Sequence, residues 1–239
     1  MARSIEIQDL CVAYGGIQAL FEVNLNVAPG EIVAVLGANG AGKTTLLNSI
    51  AGLVPVKSGS ILVDGVANGT RRAEYIARSG LRLVPEGRRI FTRLTVEENL
   101  RLGAYFSSPK VFRERFDRLA ERFPLIAERR HSYAGYLSGG EQQIVAITRC
   151  LISEPDVLLL DEPSAGLSPI ATANVYRSLR AVAEDAQLTI LLVEQNVRAA
   201  LEIADRGYVL ELGSVRLSGA RAELEKDERV TALYLGASL

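Results

Sequence analysis

The sequence predicts an α/β fold with an antiparallel β subdomain at the N-terminus and a helical subdomain inserted into the core. Short apolar runs bounded by turn or polar residues have the pattern of buried strands; they are residues 32–36, 157–160 and 188–193. Residues 81–84 are predicted to form another short strand. Residues 5–12 and 23–27 alternate apolar and polar side chains, as half-buried strands do. Strand signals are scarce and helix signals frequent at residues 87–156. We therefore expect one domain over residues 1–239, whose α/β core comprises 1–86 and 157–239 and whose helical subdomain comprises 87–156.

Composition excludes several classes of protein. The chain of 239 residues is 48% hydrophobic and 23% charged with a formal net charge of −1, which gives no overall argument for binding nucleic acid or an anionic membrane. Cys11 and Cys150 form no Cys-x-x-Cys pair, a usage typical of reduced thiols. A single histidine, His131, excludes a histidine-rich metal site. No apolar run is long enough to span a bilayer, so any connection to a membrane is expected through a partner.

The N-terminal part reads as two strands, a turn and a hairpin. Pro29-Gly30 turns the chain into the first buried strand, and glycine-containing turns on both sides of residues 60–63 predict a hairpin. Tyr14 is expected in the loop between the first two strands, where a lone aromatic residue usually serves packing.

The sequence Gly-Ala-Asn-Gly-Ala-Gly-Lys-Thr-Thr, residues 37–45, lies between a buried strand and a helix-like run at 46–51. Strand, glycine-rich loop and helix form the context of a phosphate-binding loop, because glycines let backbone N–H groups turn toward a polyphosphate and the helix start adds the positive end of its dipole. Lys43 can reach the β- and γ-phosphates, and the Thr44 hydroxyl can ligate Mg²⁺. The alternative is a glycine-rich turn with an exposed lysine. We predict a nucleotide site formed by Gly37, Asn39, Gly40, Ala41, Gly42, Lys43, Thr44 and Thr45.

The middle of the chain reads as helical. Thr95 and Glu98 form a capping box that opens a helix. Four apolar residues recur at helical spacing, namely Phe112, Phe116, Leu119 and Phe123. Basic residues outnumber acidic ones in 87–131. We interpret that excess as a solvated helical face, and the alternative is a contact surface for a membrane partner or a nucleic acid.

A second glycine-bearing helix start follows at residues 137–143, Leu-Ser-Gly-Gly-Glu-Gln-Gln. Ser138 and Glu141 form a capping box, which is a sufficient structural explanation of the pattern. Gly139 and Gly140 nevertheless weaken the first helical turn by about 1 kcal/mol each. They make sense where another phosphate approaches bare backbone.

An acidic pair, Asp161-Glu162, ends the buried strand at 157–160. Carboxyl ends of parallel strands are where α/β sheets bind ligands. Asp161 suits coordination of Mg²⁺, and Glu162 is placed to polarise an attacking water. Two solvated loop acids are the alternative.

The remainder of the chain completes the core. Ser168-Pro169 opens a helix at 170–184. The buried strand 188–193 ends in Glu-Gln-Asn, and residues 207–218 read as a closing hairpin followed by a charged helix.

With these motifs in order, the chain resembles the ATP-binding subunits of ABC transporters along nearly its full length. The resemblance implies a P-loop NTPase core of the RecA-like type. Residues 137–143 are similar to the family's signature loop, the most specific of the motifs. Tyr14 is similar to the aromatic residue that stacks on adenine, and residues 164–167 lie where the family has its dimer-contact loop. The resemblance implies that the signature binds the ATP of a second subunit through Leu137, Ser138, Gly139, Gly140 and Glu141.

Two positions depart from the family pattern. Glu86 stands where most members have a glutamine that contacts Mg²⁺ and water, and Gln195 stands where most have a switch histidine. Gln195 can donate a hydrogen bond to a γ-phosphate oxygen but cannot carry a proton charge. Both departures resemble one of the two ATPases of branched-chain amino acid importers, as do the sequences at 84–91 and 193–196. The resemblance implies catalytic roles for Glu162, Gln195 and Glu86, and a metal site formed by Thr44, Asp161 and Glu86.

The resemblance thus implies an ATP-hydrolysing subunit with ATP and Mg²⁺, which powers uptake of branched-chain amino acids through ATP-driven dimerisation. The expected partners are a second ATPase subunit that is a different chain, two transmembrane permease subunits that contact the helical subdomain, and indirectly a periplasmic or lipoprotein solute-binding protein, with no nucleic acid. The expected place is the cytoplasmic face of a bacterial inner membrane. Three alternatives stay open: a related importer of urea or short amides, a binding-only subunit whose partner hydrolyses ATP, and a soluble ABC ATPase that acts on translation or DNA.

Overall fold

The computed structural model describes residues 3–68 and 72–230. The strands of that part are β1 (Ile5–Tyr14), β2 (Ile17–Val27), β3 (Ile32–Leu36), β4 (Ser58–Val63), β5 (Val66–Ala67), β6 (Leu81–Val84), β7 (Val157–Asp161), β8 (Thr189–Glu194), β9 (Arg206–Glu211) and β10 (Ser214–Ala220). The helices are α1 (Lys43–Ile50), α2 (Ala73–Arg78), α3 (Val96–Gly103), α4 (Pro109–Arg122), α5 (Leu125–Glu128), α6 (Gly139–Leu151), α7 (Pro169–Ala186), α8 (Val197–Ile203) and α9 (Arg221–Leu224).

A six-stranded sheet in the order β10-β9-β3-β8-β7-β6 forms the core. The strands from β9 to β6 are parallel, and β10 is antiparallel at one edge. Every residue of β3, β7 and β8 is buried, which explains why these strands read as continuous apolar runs in the sequence. The predicted α/β core is confirmed.

The second sheet has four antiparallel strands in the order β2-β1-β4-β5, and it confirms the predicted N-terminal β subdomain. The expectation for Tyr14 was wrong, because this residue ends β1 and pairs with Ile17 instead of lying in a loop. The strands extend this far because Gly15 and Gly16 alone make the turn, and Gly15 adopts a left-handed φ of 60°.

Two hydrophobic cores meet at β3. Ile32, Ala34 and Leu36 point into a core shared with the helices, whereas Val33 and Val35 point into a core shared with the smaller sheet and α1. This alternation follows from the period of two in a strand. Because the strand is fixed from both sides, the loop that follows Leu36 starts from a rigid support.

The segment between β6 and β7 contains the helices α3 to α6 and, apart from one isolated bridge between Thr95 and Tyr133, no strand pairing. The predicted capping box at Thr95 and the buried face of α4 are both present. The division into an α/β core and a helical subdomain stays a prediction, and its outermost bounds at residues 1 and 239 lie outside the described residues. Among the described helices, none combines the length and the apolar content that crossing a bilayer requires.

Glu97 of α3 fastens this helical segment together. Its carboxylate accepts hydrogen bonds from Arg101 at 2.6 Å and from Arg130 at 2.7 Å. The two guanidinium groups lie over the rings of Phe112 and Phe116 of α4, at 4.4 and 4.8 Å from the ring centres. Hydrogen bonding by Arg130, followed by that of Arg101, lowers the pKa of Glu97 to about 2. The first turn of α3 is thus tied to the aromatic face of α4.

Candidate functional site

The glycine-rich loop lies at the carboxyl end of β3, beside the ends of β7 and β8. Gly37 N donates to the carbonyl of Glu194, the last residue of β8, at 3.3 Å. A cavity of about 670 Å³ opens above the loop. Six of the residues predicted to bind nucleotide phosphates or metal line it together with Glu86 and Glu162, and these are Asn39, Gly40, Gly42, Lys43, Thr44 and Thr45. The structure therefore brings the predicted phosphate loop and two predicted catalytic acids to one cavity.

Two glycines of this loop are required by contacts that the sequence does not show. A Cβ on Gly37 would lie 2.4 Å from the carbonyl oxygen of Leu210 in β9. Gly42 has a φ of 106°, and a Cβ there would lie 2.7 Å from the Leu20 side chain of β2. These residues let the loop lie directly against both sheets, so its backbone is held in place before any ligand arrives.

Lys43 is buried and turned into the loop. Its ammonium donates to the carbonyl oxygens of Gly37 at 2.9 Å and Ala38 at 3.0 Å, and it forms an ion pair with Glu162 at 3.1 Å. The side chain is 4% exposed, so the alternative of an exposed lysine in a glycine-rich turn does not hold. A buried ammonium with a fixed direction is suited to hold an anion that enters the cavity.

Thr44 and Asp161 are joined across the end of the sheet. The Thr44 hydroxyl donates to Asp161 Oδ1 at 3.2 Å. The pKa of Asp161 is raised to about 6, chiefly by burial and to a smaller extent by the charges of Glu86 and Glu162, while the hydrogen bond from Thr44 and the charge of Lys43 oppose the shift. The described residues contain no cluster of three or more acidic, histidine or cysteine side chains that could hold a metal ion, so Asp161 and the Thr44 hydroxyl are the oxygen groups that meet here.

Glu162 lies directly after β7 with a φ of 46°, a conformation in which a non-glycine residue is strained. Its backbone N–H donates to Val193 at the end of β8 at 3.0 Å. The side chain is 16% exposed and points toward Lys43. The carboxylate therefore faces the phosphate loop from the opposite wall of the cavity.

Two other predicted residues, Tyr14 and Gln195, do not line the cavity above the phosphate loop. Tyr14 is half exposed and donates to the Thr45 hydroxyl at 3.4 Å, beside the start of α1. Gln195 is exposed directly after β8 and does not line the cavity above the loop. The roles of Tyr14 and Gln195, like those of the residues that line the cavity, stay predictions.

The signature residues 137–141 lie at the start of α6 and do not line the cavity above the phosphate loop. Ser138 caps the helix by accepting from Glu141 N at 3.4 Å, and the Glu141 carboxylate accepts from Ser138 N at 2.7 Å. This hydrogen bond from the Ser138 backbone holds the pKa of Glu141 below its usual value. The predicted capping box is confirmed, and the first turn, which contains Gly139 and Gly140, is helical.

Sequence reasoning missed a buried acidic group next to the site. Glu194 is 2% exposed and accepts hydrogen bonds from Ser164 N at 2.8 Å and from the Tyr176 hydroxyl at 2.6 Å. Burial, with the charge of Glu194 as the next cause, raises the pKa of Tyr176 well above its usual value. The pair connects β8 and α7 to the loop after Glu162. A signal was present, because an acidic residue ending an apolar strand resembles the pattern at Asp161.

We expect Tyr176→Phe to lower the free energy of unfolding by about 1–3 kcal/mol, because the buried Glu194 carboxylate loses its shortest hydrogen bond. Urea denaturation followed by circular dichroism measures the change. Tyr133→Phe removes the same hydroxyl from a half-exposed ring and should change the value by less than about 0.5 kcal/mol. Equal stability of Tyr176→Phe and the unmodified chain would show that backbone donors suffice for Glu194.

Comparison with known proteins agrees with the nucleotide site that the geometry indicates. The family model described as ABC transporter matches residues 20–165. The chain is 45% identical over 223 residues to the high-affinity branched-chain amino acid transport ATP-binding protein BraG of Pseudomonas aeruginosa, covering 93% of this chain and 95% of that protein. It is 37% identical over 236 residues to the probable branched-chain amino acid transport ATP-binding protein LivF of Archaeoglobus fulgidus, covering 99% of both. The dimeric post-hydrolysis structure of the ATP-binding cassette MJ0796, bound to ADP and Pi, superposes with a TM-score of 0.82 at 26% identity, covering 91% of this chain and 98% of that one.

Proposed function

This chain belongs to the ABC transporter family of ATP-binding proteins, and from that premise we propose that it powers an importer of branched-chain amino acids. The observation that carries the substrate class is the 45% identity to BraG, which extends over nearly the whole of both chains. The cavity above the phosphate loop supports the chemistry, because a buried lysine, a hydroxyl and acidic side chains converge there.

We propose ATP as the substrate that binds in this cavity. We propose that its β- and γ-phosphates bind the backbone of residues 37–42 and the Lys43 ammonium, and that Tyr14 stacks on the adenine. Lys43 would then exchange its contact with Glu162 for the phosphates. That exchange would leave the Glu162 carboxylate free to accept a proton from the attacking water.

The residues around Asp161 fit Mg²⁺. Hydroxyl and carboxylate oxygens are its preferred ligands in nucleotide sites, and we propose Thr44, Asp161 and Glu86 as the group that holds it. When bound, the ion neutralises charge on the phosphates and stabilises the ionised form of Asp161. Glu162 would take the proton of the attacking water, and Gln195 would donate a hydrogen bond to the γ-phosphate.

We propose that the signature completes the reaction centre of a second ATPase subunit. Support comes from its position at the start of α6, outside the chain's own cavity, and from the dimer formed by the related cassette MJ0796. Gln195 favours a partner that is a different chain, since a different partner can supply a histidine to the other site. ATP between the subunits would hold them together, and hydrolysis would let them separate.

We propose that permease subunits contact the helical subdomain at an aromatic patch formed by Tyr105 and Phe106, which are exposed by 75% and 82%. The rings of Tyr105 and Phe106 meet edge to face at 5.2 Å, and Arg78 of α2 lies over Phe106 at 5.7 Å. Exposed aromatic groups that adjoin one another are typical of interaction surfaces. This contact would place the chain at the inner face of a bacterial membrane.

The test of the proposal is substrate-dependent ATP hydrolysis by the intact complex. The complex is purified with its permease subunits and reconstituted, and its ATPase rate is measured with its solute-binding protein. We expect leucine, isoleucine or valine to raise the rate severalfold. Stimulation by urea or short amides instead would replace the substrate class, and sensitivity to RNA or DNA in place of any solute would contradict the transport function.

A further inference from the structure

Arg88 connects the loop after β6 to the signature, a contact that the sequence does not indicate. It lies in the loop after β6, two residues beyond Glu86, and its guanidinium reaches the start of α6. Its Nη1 donates to the amide oxygen of Gln142 at 3.4 Å. A loop that serves the chain's own cavity through Glu86 thus also extends to the signature.

Two glycines leave the space that the guanidinium occupies. A Cβ on Gly139 would lie 2.8 Å from Arg88 Nη2, and a Cβ on Gly166 would lie 3.1 Å from the same atom. Gly139 belongs to the signature, and Gly166 belongs to the loop after Glu162. Because neither glycine carries a side chain, the guanidinium fits between the signature and the loop after Glu162.

The backbone of the loop that carries Arg88 has an unusual conformation. Gly87, Arg88 and Arg89 follow one another with φ values of 77°, 64° and 44°. Such left-handed conformations are unfavourable for arginine, and they persist where the surrounding structure holds them.

The charge of Arg88 is not neutralised by the described part of the chain. Within residues 3–68 and 72–230 no carboxylate forms an ion pair with it, and Gln142 is neutral. The helix start beside it carries the positive end of the α6 dipole. An anion that binds between the Arg88 guanidinium and the start of α6 would therefore be attracted by both.

We propose that Arg88 binds the γ-phosphate of the ATP held by the second ATPase subunit. The inference rests on the proposed function, because it requires the signature to face another subunit's nucleotide. The same loop then presents Glu86 to the chain's own site and Arg88 to its partner's site. The partner's nucleotide state is thereby transmitted to the loop that carries Glu86.

The experiment measures how ATP drives association of the two ATPase subunits. The full-length chain carrying Glu162→Gln is mixed with the second ATPase subunit, and the ATP concentration for half-maximal association is determined by analytical ultracentrifugation. We expect Arg88→Gln to raise that concentration about ten- to hundredfold, the effect of losing a hydrogen bond to a charged group. Arg88→Lys keeps the charge but lacks the planar guanidinium group. Its ATP concentration for half-maximal association should lie between those of the chain with Arg88 and of Arg88→Gln.

Matched measurements separate a ligand contact from a structural brace. Arg93→Gln removes the same charge from an exposed side chain of the same segment and should change the ATP concentration by less than about twofold. ADP binding to the isolated chain should be unaltered by Arg88→Gln, because Arg88 does not line the cavity above residues 37–42. The melting temperature of the isolated chain should not fall, because the substitution removes a cation from a helix N-terminus.

An unaltered ATP concentration in Arg88→Gln, or an equal change in Arg93→Gln, would overturn the proposal. A change accompanied by a lower melting temperature and weaker ADP binding would make Arg88 a brace, and would overturn it as well. Gly140→Asp separates this failure from failure of the proposed function. If Gly140→Asp prevents association and Arg88→Gln does not, only the role of Arg88 falls, whereas no effect of either variant contradicts the arrangement of the subunits.

Discussion

Replacement of Lys43 by alanine is expected to abolish nucleotide binding, with a loss of at least about a hundredfold in ATP affinity. The ammonium is buried, donates to the carbonyls of Gly37 and Ala38, and lies at the start of α1, where we propose that the phosphates bind. Loss of a charge-assisted contact in such a site costs several times more than loss of an exposed lysine. Isothermal titration calorimetry with ATP and with ADP measures the effect on the purified chain.

The matched control is Lys110→Ala, which removes the same group from an 87% exposed side chain and should leave ATP affinity within about twofold. Retained ATP affinity in Lys43→Ala would refute the assignment of the phosphate loop. Circular dichroism of the variant is needed beside the titration, because the Glu162 carboxylate loses its cationic partner in this variant.

Replacement of Glu162 by glutamine is expected to lower ATP turnover by roughly a hundred- to ten-thousandfold while ATP binding persists. Glutamine has the same shape but cannot accept a proton from water at neutral pH. Lys43 also loses its ion pair and becomes fully available to the phosphates. ATP-bound subunits should therefore accumulate as a complex, which gel filtration with ATP detects and which ADP does not produce.

Glu154→Gln provides the comparison for this variant. Glu154 is another glutamate with a left-handed φ, 52°, but its side chain is about half exposed and pairs with Arg115 away from the cavity. The ATP turnover of Glu154→Gln should stay within about twofold of that of the unmodified protein. Unchanged turnover in Glu162→Gln would show that this carboxylate is not the base, and a partial loss in the mixed complex would assign most hydrolysis to the partner's site.

Much of the fold was predictable because its signals are local. The buried strands β3, β7 and β8 appear in the sequence as apolar runs, and the capping boxes at Thr95 and Ser138 are defined by residues three positions apart. The phosphate loop is local for the same reason, since strand, loop and helix follow one another. Such features depend on neighbours along the chain and require no knowledge of tertiary packing.

Other features depend on residues that meet only after folding. The bond between Tyr176 and Glu194, the ion pair between Lys43 and Glu162, and the position of Arg88 beside Gly139 each join distant parts of the chain. No spacing in the sequence specifies such pairs. The short helices α2 and α8 were also not predicted, because so few residues give little periodicity.

The close approach of Gly37 to the Leu210 carbonyl has a consequence for how the protein is made. The phosphate loop leaves the ribosome well before β9, the strand that supports it and pairs with β3. The hydrogen bond from Gly213 N to Ala41 O, 2.9 Å, comes from the same late segment. A nascent chain therefore cannot hold ATP in the finished geometry until β9 has been synthesised, and premature termination before β9 would yield a product without this site.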